Sequence, residues 1–394
     1  MAAAEEAPTP PELIDDVIVE ILARIPPDES AYLVRASLVC KLWRRIILSD
    51  AADFPRRYRE LHRTPPLLGF LHNSDSRRLR RLFFPVPASA TMTTMAAAAS
   101  CSASAFDVYC NRLWWSDLDY RGMWALDCRH GRVLLRHREK FLVWDPITGA
   151  QAELPKPPNM PVVFFSASMV LCARAAAGGC DHCDCLGGPF LIVFVMIDDG
   201  RAHACVYSSE SRAWSKPVSV YMGGESHLVD MKRAALVGHD AYFSVRDGAT
   251  ILKYDLEKNC LSAIDPPRGY RWNIIIMPIT RDNDDGSSSL GLAGIWGFSN
   301  LLHLWVRKVN NNPNNGVARW VQCRAMELDK LLPINISGTI ARVIGFAEGV
   351  GVIFVRVDTS IFMIELKSGW VRNVRDSAEF YNVLPFMSFY TPGI

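Results

Sequence analysis

No stretch of this sequence is long and apolar enough to span a bilayer. The longest apolar runs, residues 160–173 and 189–197, fall short of the roughly 20 residues that a spanning helix needs, and they suit buried strands instead. Residues 1–10 are rich in Ala, Glu and Pro. They offer neither a basic start nor an apolar core of signal-peptide length, so secretion is not expected. An excess of either charge is also missing: 43 Lys and Arg stand against 41 Asp and Glu, a net charge of +2. Charge therefore points neither to a nucleic-acid partner nor to a membrane surface. The local run Arg77, Arg78, Arg80 and Arg81 lacks interleaved aromatics and reads as a solvated face.

Catalytic signatures are missing too. There is no Gly-x-Ser-x-Gly elbow, no phosphate-binding loop and no dinucleotide fingerprint. His130, His203, His239 and His303 each sit beside strand-like text, where a hydrogen-bonded structural histidine is expected. Asp282, Asp284 and Asp285 lack the spacing and the Glu of a calcium loop. No catalytic residue is assigned and no cofactor is expected. Cysteine, by contrast, is not scarce, at 11 residues. Without a secretory context these are expected to be reduced thiols used as small hydrophobes. The densest group holds Cys180, His182, Cys183 and Cys185, a weak metal candidate. Zinc favours two ligand pairs separated by a longer loop, whereas these four crowd into six residues flanked by glycines. A loop of reduced thiols is the simpler reading.

What the sequence does have is a compact helical module at residues 11–48. Leu13, Val17, Ile18, Ile21, Leu22 and Ile25 recur at spacings of three and four, one apolar stripe of a helix. Pro26-Pro27 ends it, because proline lacks the amide proton and pushes its predecessor out of the helical region. Asp28 is placed to cap a second segment carrying Tyr32, Leu33 and Leu38. Val39, Trp43, Ile46 and Ile47 give a third apolar face, interleaved with Lys41, Arg44 and Arg45. Asp15-Asp16 at the first helix start suits the helix dipole. A module of about 40 residues buries little surface on its own, so part of this apolar surface is expected to be covered by a partner.

The module resembles an F-box. The family pattern is met by Leu13-Ile14, Val17-Ile18, Glu20-Ile21-Leu22, Arg24-Ile25-Pro26, Leu33-Val34-Arg35 and Val39-Cys40-Lys41-Leu42-Trp43-Arg44. Ile14 stands where the family usually has Pro. The resemblance implies docking to a Skp-type adaptor and, through it, to a cullin. The implied docking residues are Leu13, Ile14, Val17, Ile18, Ile21, Leu22, Ile25, Pro26, Leu33, Val34, Val39, Cys40 and Trp43. An ordinary three-helix core without a partner is the other reading.

Past this module, residues 50–63 read as a further helix with Phe54, Tyr58 and Leu61 on one side, punctuated by Thr64-Pro65-Pro66. Helical periodicity then stops. Residues 87–105 are an Ala/Ser/Thr/Met segment expected to be a mobile loop, and residues 281–289 and 308–316 read as long polar loops between strands.

The remainder repeats one theme, an apolar strand, a polar turn and a second strand. It recurs at 141–144 with 152–155, 204–207 with 213–214, 251–254 with 261–264, 302–306 with 320–323, and 361–364 with 370–371. Four-stranded units recurring in this way are the mark of a propeller, because stacked blades cover the faces that a lone blade exposes. Trp144-Asp145-Pro146-Ile147-Thr148-Gly149 and the strand at 65–73 resemble kelch-like and F-box-associated domains of plant F-box proteins. A non-propeller β-rich domain is the alternative. The expected fold is a multidomain α+β chain. Residues 1–10 are a disordered N-terminus, 11–50 the F-box and 51–66 a helical linker, and 67–394 form a mainly-β propeller-like domain of five or six blades.

The resemblance implies the substrate-recognition subunit of a Skp–cullin–F-box ubiquitin ligase, a non-catalytic adaptor whose β domain holds an unidentified protein substrate. A propeller enzyme or carbohydrate-binding protein tethered through the F-box is the alternative. The implied setting is cytoplasmic, nuclear or both.

Overall fold

The computed structural model describes residues 14–48, 53–74, 83–85, 123–137, 140–146, 149–158, 166–176, 180, 185, 187–223, 228–230, 232–245, 250–267, 274–280, 288–296, 300–309, 318–336, 338–376 and 380–389. The chain forms two compact units, residues 1–65 with 389–394, and residues 66–388. The loop at 87–105 and the basic run at 77–81 lie outside the described residues, as do Asp282, Asp284 and Asp285. Ser288 and Ser289, read as loop from the sequence, belong to a strand, and so do Lys308 and Val309. No helix among the described residues is long and apolar enough to cross a membrane.

Among the described residues the first unit has four helices, α1 (Asp15–Ala23), α2 (Ser30–Ser37), α3 (Lys41–Leu48) and α4 (Phe54–His62). Asp15 and Asp16 lie in the first turn of α1, where the positive end of the helix dipole favours acids. A 3-10 turn, Pro27–Glu29, links α1 to α2, so Asp28 sits inside that turn and does not occupy a cap position beside Ser30. Cys40 starts α3: its Sγ accepts the Trp43 amide at 3.5 Å and its carbonyl accepts the Arg44 amide at 3.1 Å. Pro55 opens α4, where its missing N–H would find no helical partner anyway. The core joins Ile18, Leu22, Leu33, Ile47, Phe54 and Tyr58. Tyr58 donates its hydroxyl to the Ile25 carbonyl at 2.8 Å, and His62 Nε2 lies 2.8 Å from the Ala23 carbonyl, so α4 clamps the end of α1. Burial pushes the Tyr58 hydroxyl up, reinforced by Asp28. Leu61 was expected on the same face but is exposed. Phe389 completes this unit, its ring edge-on to Tyr58 at 6.2 Å.

The second unit is a ring of sheets. Blade 1 holds β3 (Met123–Arg129), β4 (Arg132–His137), β5 (Lys140–Trp144) and β6 (Gln151–Leu154). Blade 2 holds β7 (Ser166–Cys172), β8 (Phe190–Asp198), β9 (Arg201–Ser208) and β10 (Ala213–Trp214), with β11 (Val218–Tyr221) also paired to β9. Blade 3 runs β12 (Ala235–Val237), β13 (Asp240–Ser244), β14 (Ile251–Asp255) and β15 (Cys260–Ile264). Blade 4 runs β16 (Ile274–Thr280), β17 (Ser288–Ile295), β18 (Leu301–Val309) and β19 (Ala318–Glu327). Blade 5 runs β20 (Ala341–Ala347), β21 (Val352–Val357), β22 (Ser360–Glu365) and β23 (Val371–Asp376). A sixth, three-stranded sheet closes the ring. In it β1 (Leu67–Ser74) pairs with β2 (Phe83–Pro85) on one side and with β24 (Phe380–Met387) on the other, with Phe70 opposite Pro385 and His72 opposite Val383.

Side chains of a strand alternate between faces, so a blade held between two neighbours needs apolar residues at every position. Strand β8 shows this directly. Val193, Val195 and Ile197 pack into the cluster shared with blade 3, while Ile192, Phe194 and Met196 pack into the cluster shared with blade 1. Each pair of adjacent sheets shares one such cluster. Tyr242 and Leu292 join blades 3 and 4, and Leu302 and Phe362 join blades 4 and 5. Phe354 and Phe380 join blade 5 to the closing sheet, and Trp144 and Leu384 join that sheet to blade 1. At Gly345 the backbones of β20 and β24 approach so closely that an added Cβ would lie 2.6 Å from the Val383 carbonyl oxygen.

Candidate functional site

The residues expected at a docking face separate into two sets. Ile18, Leu22 and Leu33 are buried in the core of the helical unit. The single stripe read from the sequence is in fact two adjacent stripes of one helix. Ile18 and Leu22, with Val19 and Ala23, turn inward. Ile14, Val17 and Ile21, spaced three and four apart, turn outward and are 68%, 39% and 50% exposed. Pro26, Val39 and Cys40 are exposed, while Ile25, Val34 and Trp43 are half-buried. Val39 lies ahead of α3 and so takes no part in its buried face. Leu13 lies outside the described residues. The implied docking set omits Tyr32, Leu38 and Leu48, all exposed apolar residues, Leu38 at 76%. Leu38 carries a legible signal, since it sits in a tight turn just before the Cys40 cap, where a chain without a partner gains nothing from leucine. An ion pair of 3.6 Å between Arg45 and Asp15 ties α3 to the start of α1, beside Ile14.

In the propeller unit, charged residues of several blades meet. Asp127 Oδ2 accepts the Val170 amide of blade 2 at 2.9 Å and Arg129 Nε at 3.2 Å, and its Oδ1 faces Arg233 Nε at 3.5 Å. Arg129 Nη1 donates to Glu348 Oε2 at 2.9 Å, and its Nη2 donates to the Ala234 carbonyl. Arg233 Nη2 stands 3.6 Å from the same Glu348 oxygen. Burial lowers the Arg129 pKa, but Asp127 and Glu348 outweigh it and hold the guanidinium above its ordinary value. Arg233 is held below its ordinary value, first by burial and then by repulsion from Arg129. Two acids and two guanidiniums thus compensate each other, with a small cavity of about 10 Å³ beside them lined by Arg129, Arg233, Phe346 and Glu348. Its size suits at most one water.

The cysteine-rich loop contributes a third cluster. Cys172, Cys180 and Cys185 place their Sγ atoms within 4.8 Å of one another, and Cys180 and Cys185 are 3.1 Å apart. Of the expected set, Cys180 and Cys185 are brought together, while His182 and Cys183 lie outside the described residues. Cys172 was missed, because it ends β7 eight residues before the dense group and sequence spacing gives no hint of it.

Comparison with protein families decides the identity. A family profile described as "F-box protein AT5G49610-like, beta-propeller" matches residues 124–393, and the F-box domain matches residues 11–52. The chain belongs to this family of F-box propeller proteins. Its architecture is accordingly a short N-terminal helical F-box followed by a mainly-β propeller of five blades, blade 2 with a fifth strand among the described residues, and the closing sheet. A comparison with curated proteins found no match. Among solved structures, a chain of the mitotic checkpoint complex is similar at 12% identity, covering 64% of this chain and 76% of that one with a TM-score of 0.35. The extracellular domain of a two-component system of B. thetaiotaomicron is similar at 12% identity and a TM-score of 0.34, with 64% of this chain and 27% of that chain covered. The structure titled U3-55K is similar at 8% identity and a TM-score of 0.36, over 68% of this chain and 86% of that one.

Proposed function

We propose that the chain is the substrate-recognition subunit of a Skp–cullin–F-box ubiquitin ligase. The F-box docks to a Skp-type adaptor and so to a cullin, and the propeller holds the protein to be ubiquitinated. One observation carries this reading. The F-box keeps Ile14, Val17 and Ile21 in water on α1 while its own core is already filled by the neighbouring stripe. A module this small gains nothing from such exposure unless another protein covers it. Under this reading the chain performs no bond chemistry. It raises the concentration of substrate lysines near the loaded conjugating enzyme. The expected setting is the cytoplasm, the nucleus or both.

The test is the affinity of the full-length chain for a Skp-type adaptor, by calorimetry, on wild type and the Ile14→Ala/Ile21→Ala double variant. Each isoleucine fully buried at an interface contributes about 1.5–3 kcal/mol, or about ten- to a hundredfold in affinity. Both residues are exposed in the free chain, so the thermal melt is expected to stay where it is. Reconstituted with cullin and a loaded conjugating enzyme, the wild type is expected to direct ubiquitin transfer and the double variant to lose it. Unchanged affinity with an unchanged melt would remove α1 from the docking face. Adaptor binding without any ubiquitin transfer would leave the F-box reading in place and sink the ligase reading.

A further inference from the structure

The three thiols of blade 2 meet where the end of β7 faces Cys180 and the turn at Cys185. Cys172 is the last residue of β7, buried within the blade, and Cys185 is buried as well, with Cys180 half-buried. The backbone around Cys185 is fixed from several directions. Its carbonyl accepts the Gly188 amide at 3.1 Å and the buried Arg132 guanidinium, which also donates to the Gly188 carbonyl at 2.7 Å. Gly187 takes a φ of +74°, the left-handed conformation that lets this turn close. On the other side the Ala173 amide bonds the Pro189 carbonyl at 3.0 Å, next to Cys172. Arg132 is itself stacked over Phe190, 5.7 Å from the ring centre. Cys172 and Cys185 are therefore placed by the blade, and Cys180 meets Cys185 through its sulfur.

We propose that Cys172, Cys180 and Cys185 form a binding site for a soft d10 cation, zinc first. Zinc–thiolate bonds of about 2.3 Å in a tetrahedron set the sulfurs about 3.8 Å apart. One separation is 3.1 Å and the others are at most 4.8 Å, so each lies within about 1 Å of that figure. The Cys180–Cys185 separation is also well beyond the roughly 2.05 Å of a disulfide bond. Three thiolates at this spacing repel one another, and a divalent cation removes that repulsion as it displaces their protons into solvent. The resulting complex carries excess negative charge, and the Arg132 guanidinium lies against the same turn to offset it. Three thiolates leave the fourth position of the tetrahedron to water.

The test measures metal on the full-length chain, purified under reducing conditions after growth with zinc. Wild type is expected to carry about one zinc per chain by plasma mass spectrometry. On exchange with cobalt it is expected to show thiolate-to-cobalt charge transfer with the intense d–d bands of a tetrahedral site. Cys172→Ser and Cys185→Ser are expected to lose the metal almost completely, while Cys260→Ser, at an exposed cysteine of blade 3, is expected to keep it. The wild-type cobalt spectrum stands even if a serine variant fails to fold. A wild type without zinc and without the cobalt bands would overturn the site. So would retention of metal in a folded Cys172→Ser chain, or a Cys180–Cys185 disulfide found by peptide mass mapping.

Discussion

At the scale of single residues, Cys40 joins a sequence motif to a physical role. The Val-Cys-Lys-x-Trp-Arg run places a thiol where a helix wants a cap, and its sulfur accepts the third amide of α3 from 3.5 Å. Sulfur is a weak acceptor, and Ser or Asp is the preferred cap. Cys40→Asp is therefore expected to stabilise the helical unit by about 0.5–1 kcal/mol, combining a better acceptor with a favourable charge at the helix N-terminus. Denaturant melts followed by helical circular dichroism would show it. A neutral or lower midpoint would mean that the thiol contributes nothing as a cap. Cys40 was legible as a family position, but its role was not, because capping depends on where the helix starts. The same limit blurred α1. Six apolar residues at helical spacing fit one broad stripe. The packing of α2, α3 and α4, through Leu33, Ile47, Phe54 and Tyr58, decides that Ile18 and Leu22 face inward and Ile14, Val17 and Ile21 do not.

At the scale of elements, the strand pairs read from the sequence are one kind of object repeated. Each is the outer hairpin of a blade: β5–β6, β9–β10, β14–β15, β18–β19 and β22–β23. Four of these hairpins were legible because short polar turns join their strands, and β18–β19 because strand text resumes on both sides of a long polar stretch. Inner strands such as β7 and β8 are buried on both faces and read only as apolar runs. The tryptophans of the outer strands have a common use. Trp214 of blade 2 donates its indole N–H to the Pro155 carbonyl at 2.9 Å, and Trp320 of blade 4 donates to the Asp265 carbonyl at 2.8 Å. Each acceptor lies just past the last strand of the preceding blade, so the indole latches one blade to the next. Trp214→Phe keeps a ring against Tyr207 and Phe194 but removes the latch. It is expected to cost about 0.5–1 kcal/mol, the range of a hydrogen bond near solvent. With no shared partner, adding Trp320→Phe is expected to double that loss. A double variant no less stable than wild type in chemical denaturation would show the latches to be incidental.

At the scale of the propeller, what holds the ring together was the least legible part. The pairing of β1 with β24 joins residues about three hundred positions apart, and no local pattern announces it. Nor does any local pattern announce Asn73 of β1, whose side chain bonds both the amide and the carbonyl of Ala125 on β3, at 2.9 and 2.7 Å, and so sews the closing sheet to blade 1. The charged network is of the same kind. Asp127 sits beside an irregularity in β3 between Ala125 and Asp127, and from there its carboxylate reaches the Val170 amide, Arg129 and Arg233, which come from three blades. Removing that carboxylate strands two guanidiniums around Glu348 alone and leaves a buried amide without its acceptor. Breaking a buried ion pair from one side costs about 3–5 kcal/mol, a large part of the 5–15 kcal/mol that typically holds a folded protein together. Asp127→Ala is thus expected to lower the main β-sheet melting transition sharply. Asp127→Asn keeps an oxygen for the Val170 amide and loses only the charge, so it is expected to fall between the alanine variant and wild type. The order wild type, Asn, Ala in denaturant midpoint is the signature of a carboxylate that serves both as acceptor and as counter-ion. Equal losses for Asn and Ala would assign the whole effect to charge. An alanine variant within about 0.5 kcal/mol of wild type, the range of ordinary surface substitutions, would show that the apolar clusters between the sheets hold the ring without the network.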